Sequence, residues 1–346
     1  MASFEKCAII FTNREIILMA RKEFIFGFLL TLIAFTISAR HCQAGMVSLT
    51  FDDGLASVYK YAYPILKNNN QVATIGITYG FLMSGNHEYM DIKQILALQQ
   101  QGWEVASHGL THSPASKNPI LYSEEKITAW SVYDKKLNIY RTRYNYKDVA
   151  GLLENGKVMQ EGTVLNGGDY SPGSYYFNRQ NKQLYIKPFS SAKGDNLNIR
   201  AISTQREMEA SKKELEKMGC KIKTYITPYN NFSEQLRNLS KNYYAHVASG
   251  DKRTNVRDGF DPYHISRFEV MTNDKVKSLQ KIVKRDAIEN DGWVIFCFHG
   301  IGDNNHWQPW SADKLQEFST WLHKKGIKVV TISEGASLYQ TGKKLP

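Results

Sequence analysis

Asp52 and Asp53, in Thr50-Phe51-Asp52-Asp53-Gly54, are the first residues whose types and spacing suggest chemistry. Adjacent side chains on an extended segment point to opposite faces, so one carboxylate can hold a cation while its neighbour takes a proton. His108 and His112 lie in Ser107-His108-Gly109-Leu110-Thr111-His112, where Gly109 lets the chain turn both imidazoles toward one point. One carboxylate and two imidazoles are a three-ligand set for a borderline-soft divalent ion, with a position left for water. Adjacent aspartates alone are commonly a cap or a solvated turn. The two pairs together, each directly after a strand-like segment, point to a hydrolase. His299 follows the apolar run Trp293 to Phe298, where an imidazole can protonate a leaving group; in isolation it would equally be a strand-end histidine.

The elements that position these residues alternate. Val47 to Leu49, Val72 to Ile77 and Trp103 to Ser107 read as strands; Ala56 to Asn68 and Asp91 to Gln101 read as helices, with Asp91 as N-cap and Gly102 as stop signal. A further helix is expected from Glu124 to about Tyr140. Residues 141–200 break the rhythm: Gly173 to Phe177 and Gln183 to Lys187, joined by a turn-like segment, read as a β-hairpin inside an insertion. The alternation resumes with a helix from Ser203 to Met218 and a strand from Cys220 to Ile226, and closes with a strand from Val329 to Ile332. Chemistry at the ends of successive strands is the habit of parallel α/β folds, and the count favours a barrel.

The 346 residues allow one large domain carrying an insertion. The net charge of +11 is dispersed in short clusters without a basic arm, so the expectation is no nucleic acid partner; a cationic face suits an anionic envelope surface. Residues 1–44 carry an apolar segment, Phe24 to Phe35, behind Arg21-Lys22, a pattern of export signals. Met19 would begin a more conventional signal, and Cys42-Gln43-Ala44 is a candidate cleavage site. The alternative is an uncleaved anchor giving membrane association, although the apolar core is short for a span. The expected location is therefore periplasmic or extracellular. Of the four cysteines, Cys220 and Cys297 fall outside this region, and they are read either as buried thiols or as a pair.

These motifs resemble those of the NodB-type polysaccharide deacetylases, carbohydrate esterase family 4, over Val47 to about Ala115 and Ser203 to Ile332. The resemblance implies an irregular (β/α) barrel, here with a β-rich insertion: residues 45–140 and 201–346 form the barrel and 141–200 the insertion. It implies hydrolytic removal of acetyl groups, most often N-acetyl, from a cell-envelope or exported glycan. By position, Asp52 becomes the catalytic base, Asp53, His108 and His112 the ligands of a divalent metal, expected to be Zn2+, and His299 the catalytic acid. Thr227-Pro228-Tyr229-Asn230 matches the family's third motif, with Tyr229 at the oxyanion-binding position, but Ile226 stands where the family keeps an arginine that steadies the base. Arg267, a charge in the strand-like Tyr263 to Val270, is the candidate replacement. Ile295 and Cys297 are candidates to line the acetyl pocket.

Aromatic residues supply candidate sugar contacts. Trp307 and Trp310 follow His299 closely, and Tyr175, Tyr176 and Tyr185 lie in the insertion; each is also explained by packing. Two other functions fit the same residues: an O-acetyl esterase or amidase acting on a smaller molecule, and a noncatalytic glycan-binding protein.

Overall fold

The computed structural model describes residues 45–112, 125–145, 149, 151–162, 171–302 and 307–341. The export or anchor segment at 1–44 lies outside them. Among the described residues no helix is long and apolar enough to cross a membrane.

Met46–Phe51 and Trp293–Phe298 are buried along their whole length, as expected of strands covered on both faces of a parallel sheet. They pair in parallel from Met46–Trp293 to Phe51–Phe298. The full sheet has eight strands in the order Ile265–Ser266, His246–Ser249, Thr224–Ile226, Glu104–Ser107, Thr74–Ile77, Met46–Phe51, Trp293–Phe298, Phe268–Glu269. Its two ends are consecutive in the chain. Ile265 and Ser266 pair with Ala248 and Ser249 on one side, whereas Phe268 and Glu269 pair with Phe296 and Cys297 on the other. One segment thus closes the barrel, and Arg267 sits where its pairing switches from one neighbour to the other.

Strand alternation sorts the side chains into two layers. Val47, Leu49, Phe51, Val294, Phe296 and Phe298 join the large core between barrel and helices. Met46, Ala106, Ile226, Ala248, Ile265, Trp293 and Ile295 make a second core within the barrel. Continuing that inner set in steps of two residues along the strands reaches Asp52, His108, Gly250, Arg267 and His299. The same strand period that fills the barrel therefore delivers the polar residues to one end of it.

The expected helix Ile92–Gln100 forms, and Asp91 caps it in a reciprocal box with Gln94. The helix Thr204–Lys217 likewise starts from the Ser203 side chain. Two expectations fail. Residues 125–143 hold the strands Glu125–Ile127, Ser131–Asp134 and Ile139–Arg143 instead of a helix. Val329 makes only an isolated bridge to Val47, and a helix, Ile332–Thr341, starts at the last residue of the expected final strand.

The hairpin Ser174–Asn178 and Gln183–Lys187 forms as read, inside a five-stranded sheet with Ser131–Asp134, Ile139–Arg143 and Gln160–Glu161. A four-stranded sheet of Glu125–Ile127, Ile199–Ala201, Leu152–Glu154 and Lys157–Val158 accompanies it. Tyr140, Tyr175, Phe177, Leu184, Ile186 and Ile199 give these sheets a core of their own.

Candidate active site

Asp52 and Asp53 leave the end of Met46–Phe51, and Asp53 adopts left-handed backbone with φ 70°. That turn separates the two carboxylates. Asp52 is 2% exposed and faces Arg267, which is fully buried. Nη1 of Arg267 donates to Oδ1 of Asp52 at 2.8 Å and Nη2 to Oδ2 at 3.0 Å, a bidentate pair. The remaining guanidinium hydrogens on these nitrogens reach Thr50 Oγ1 at 3.1 Å and Asn230 Oδ1 at 2.5 Å. The Cys297 thiol also donates to Asp52 Oδ2, at 3.4 Å. Burial pushes the Asp52 carboxyl up, but the Arg267 charge and its hydrogen bond, with help from His108 and His299, outweigh burial and hold it lowered to about 2.

Asp53 turns the other way, toward the histidines. His108 Nε2 lies 3.4 Å and His112 Nε2 3.2 Å from its Oδ1. His108 Nδ1 sits 2.9 Å from the Ile226 carbonyl, which can only accept, so Nδ1 carries the hydrogen and Nε2 of the neutral ring presents a lone pair. Asp53 Oδ1 is buried without a hydrogen-bond partner. Asp53 Oδ1, His108 Nε2 and His112 Nε2 therefore converge on one point, an arrangement that fits a divalent cation. The electrostatics agree: burial disfavours a charged His108, yet Asp52 and Asp53 outweigh it and raise its affinity for a proton. The residues present fit a metal ion.

Glu207, absent from the sequence reading, shapes the loop between the histidines. Its buried carboxylate accepts from the Thr111 amide at 2.6 Å and from Thr111 Oγ1 at 3.0 Å, and His112 follows with φ 61°. Its place in the first turn of an ordinary helix gave no sequence signal.

One cavity of about 690 Å3 gathers Asp52, Asp53, His108, His112, Tyr229, Arg267, His299 and Trp307. His299 is 9% exposed and its Nδ1 has no hydrogen-bond partner. Tyr229, with φ 57°, packs its ring 4.7 Å from that of His112. Trp307 is 64% exposed at the cavity. His306, beside it, lies outside the described residues.

Two candidates fall elsewhere. Trp310 is fully buried, packs at a tilt against Phe298 and donates from Nε1 to the Asp274 carbonyl, so it belongs to the core and not to the cavity wall. Tyr176 belongs to the insertion's five-stranded sheet and lies against Tyr185, away from the cavity lining. Tyr175 and Tyr185 are buried. Cys220 and Cys297 are separate buried thiols. Asn230, Asn231, Lys252 and Glu269 also line the cavity and had no sequence signal beyond Asn230's place after Tyr229.

A family model described as polysaccharide deacetylase matches residues 40–148. No curated protein matches the chain. Among solved structures, the Xyl-CE4 domain of a multidomain xylanase from the hindgut metagenome of Trinervitermes trinervoides is 13% identical, with 86% of this chain and 92% of that chain covered and a TM-score of 0.45. A family 4 carbohydrate esterase from Streptomyces lividans, in complex with acetate, is 14% identical over 87% and 97% of the two chains, with a TM-score of 0.44. A family 4 acetyl xylan esterase from Clostridium thermocellum, in complex with a cobalt ion, is 13% identical over 84% and 90%, with a TM-score of 0.42. The family match spans Asp52, Asp53, His108 and His112, the carboxylate paired with Arg267 and the three residues of the convergent donor set.

Proposed function

We propose that the chain is a metal-dependent deacetylase that hydrolyses acetyl groups, N-acetyl foremost, from an exported or cell-envelope glycan. One observation carries this reading: the donor trio of Asp53, His108 and His112 stands beside a second carboxylate, Asp52, whose charge is fixed by Arg267, in a cavity that also holds His299.

Asp53 Oδ1, His108 Nε2 and His112 Nε2 would hold the ion, with Zn2+ the reading that suits one carboxylate and two imidazoles. Bound there, a divalent ion supplies Lewis acidity, lowering the pKa of a water and polarising an acyl carbonyl. Asp52, kept ionised and oriented by Arg267, takes a proton from the attacking water. The Tyr229 backbone, turned by Pro228, offers its N–H to the oxyanion. His299 gives a proton to the departing amine, and acetate leaves. Trp307 at the cavity supplies an aromatic face for a pyranose ring.

The apolar segment in residues 1–44 supports export to the periplasm or beyond, with anchoring as its alternative. The β-rich insertion carries a core of its own. Acetate release from a panel of N-acetylated and O-acetylated glycans tests the substrate class. Release confined to small acetylated esters or amides would replace the glycan reading with the esterase or amidase one. Tight glycan binding without release would leave a binding protein.

A further inference from the structure

The cavity charges do not all serve the reaction proposed above. Asp52 and Arg267 neutralise one another, and Asp53 with the two histidines forms the cation site. Lys252 and Glu269 remain. Both line the cavity, and neither makes an ion pair among the described residues. The carboxylate nearest Lys252 in sequence, Asp251, is engaged by Arg253 and by His264, the latter at 2.9 Å.

Lys252 also stands on unusual backbone. It follows the strand His246–Ser249, donates its amide to the Arg267 carbonyl at 3.1 Å, and has φ 56°. This left-handed conformation is easy for glycine and tolerable for asparagine, but the Cβ of a lysine makes it costly. Lys182 takes the same conformation in a turn, so the backbone alone does not mark a site; what distinguishes Lys252 is its place at the cavity wall without a carboxylate partner among the described residues. Asp53, His112, Tyr229 and Asn230 share the left-handed backbone, so Lys252 belongs to a ring of cavity residues held this way.

We infer that Lys252 binds an anionic group of the substrate, so that the enzyme acts on acidic glycans: N-acetylated sugars carrying a carboxylate or phosphate close to the acetyl group. The inference rests on the deacetylase reading and names its substrate class. Glu269, on the strand half beyond Arg267, adds an acceptor in the same cavity and disfavours a substrate that places a second anion near it. The net charge of +11 draws such a polymer toward the protein without choosing where it docks.

The test compares three oligomers of equal length: neutral N-acetylglucosamine, the same backbone with a carboxylate on alternate sugars, and the same backbone with phosphate there. The full chain is assayed as wild type and as Lys252→Gly. Wild type is expected to favour an acidic oligomer by about tenfold or more in kcat/KM, the size of one hydrogen bond to a charged group, with the preference shrinking as salt rises. The carboxylate and phosphate arms tell which anion is read. Lys252→Gly should erase the preference while its melting temperature stays level or rises, because glycine suits the backbone. An unchanged ratio in the variant, or no preference in wild type, would overturn the inference. So would a lowered melting temperature with the ratio intact, which would make Lys252 a structural residue. Calorimetric titration of the oligomers into Asp52→Asn reads anion selectivity without turnover. Absence of acetate release therefore counts against the deacetylase reading, and equal Kd values count against the role of Lys252.

Discussion

Replacing Arg267 by methionine removes the cation that Asp52 faces while keeping most of the side-chain volume. Arg267 is fully buried and Asp52 is 2% exposed, so water cannot take over the lost contacts. Breaking a buried pair by deleting one partner costs about 3–5 kcal/mol, chiefly because the other charge is left uncompensated. Thr50 Oγ1 and Asn230 Oδ1 lose their donor in the same step. For a chain of this size about 1 kcal/mol corresponds to roughly 2 °C, so the melting temperature should fall by about 6–10 °C. Activity should fall by about 100-fold or more, since the base loses both orientation and fixed charge. Adding Asp52→Asn to Arg267→Met should restore most of the stability, because no buried charge then lacks a partner, yet activity should stay absent. Differential scanning calorimetry on the two single variants and the double variant, with acetate release measured in parallel, separates these terms. A single variant that melts within about 1 °C of wild type, or a double variant no more stable than Arg267→Met, would refute the account of the pair.

Other consequences follow from the same geometry. Gly250→Ala would place a Cβ 2.5 Å from Asn230 Cγ, so it should cost about 1–3 kcal/mol and lower kcat by displacing the Asn230 contact with Arg267; thermal melts and kinetics on that variant check this. Removal of metal by a chelator should lower the melting temperature, by up to about 4 kcal/mol of lost linkage at a thousandfold excess of ion over Kd, and the effect should vanish in His112→Ala. Glu207→Ala should weaken metal affinity by about 10-fold or more by releasing Thr111 and the loop to His112, a change that equilibrium dialysis measures. His246 should make the fold acid-sensitive. Burial lowers its pKa below the ordinary 6.5, against the opposing charge of Glu104, so the unfolded chain binds the extra proton first. Stability is then complete above about 6.5 and declines as the pH falls toward the folded value; His246→Gln should flatten that part of the pH–stability curve.

The donor residues were legible because their information is local. Asp52-Asp53, His108 to His112 and His299 each follow a short apolar strand, and strand alternation alone carries them to one end of the barrel. The partner of Asp52 was legible only as a charge out of place in the segment around Arg267. Its position at the switch between two strand neighbours depends on barrel closure, a nonlocal property. Residues 125–143 misled because Glu124, Glu125, Lys126, Lys135, Lys136 and Leu137 have helical propensity. Pairing of Ile127 with Ile199 and of Tyr140 with Ile186 overrode it. Trp310 lies close to His299 in sequence, but its indole fills the core beside Phe298 and Phe318 instead of the cavity. Lys252 carried no motif at all; only its backbone conformation and place at the cavity wall mark it.

The most direct test of the central claim is acetate release from an N-acetylated glycan by the full chain, before chelation, after chelation and after return of Zn2+, beside an Asp52→Asn control. The account predicts release that disappears with the metal and returns with it in wild type, and none at any stage in Asp52→Asn. Release that survives chelation, or an Asp52→Asn chain that matches wild type, would contradict it.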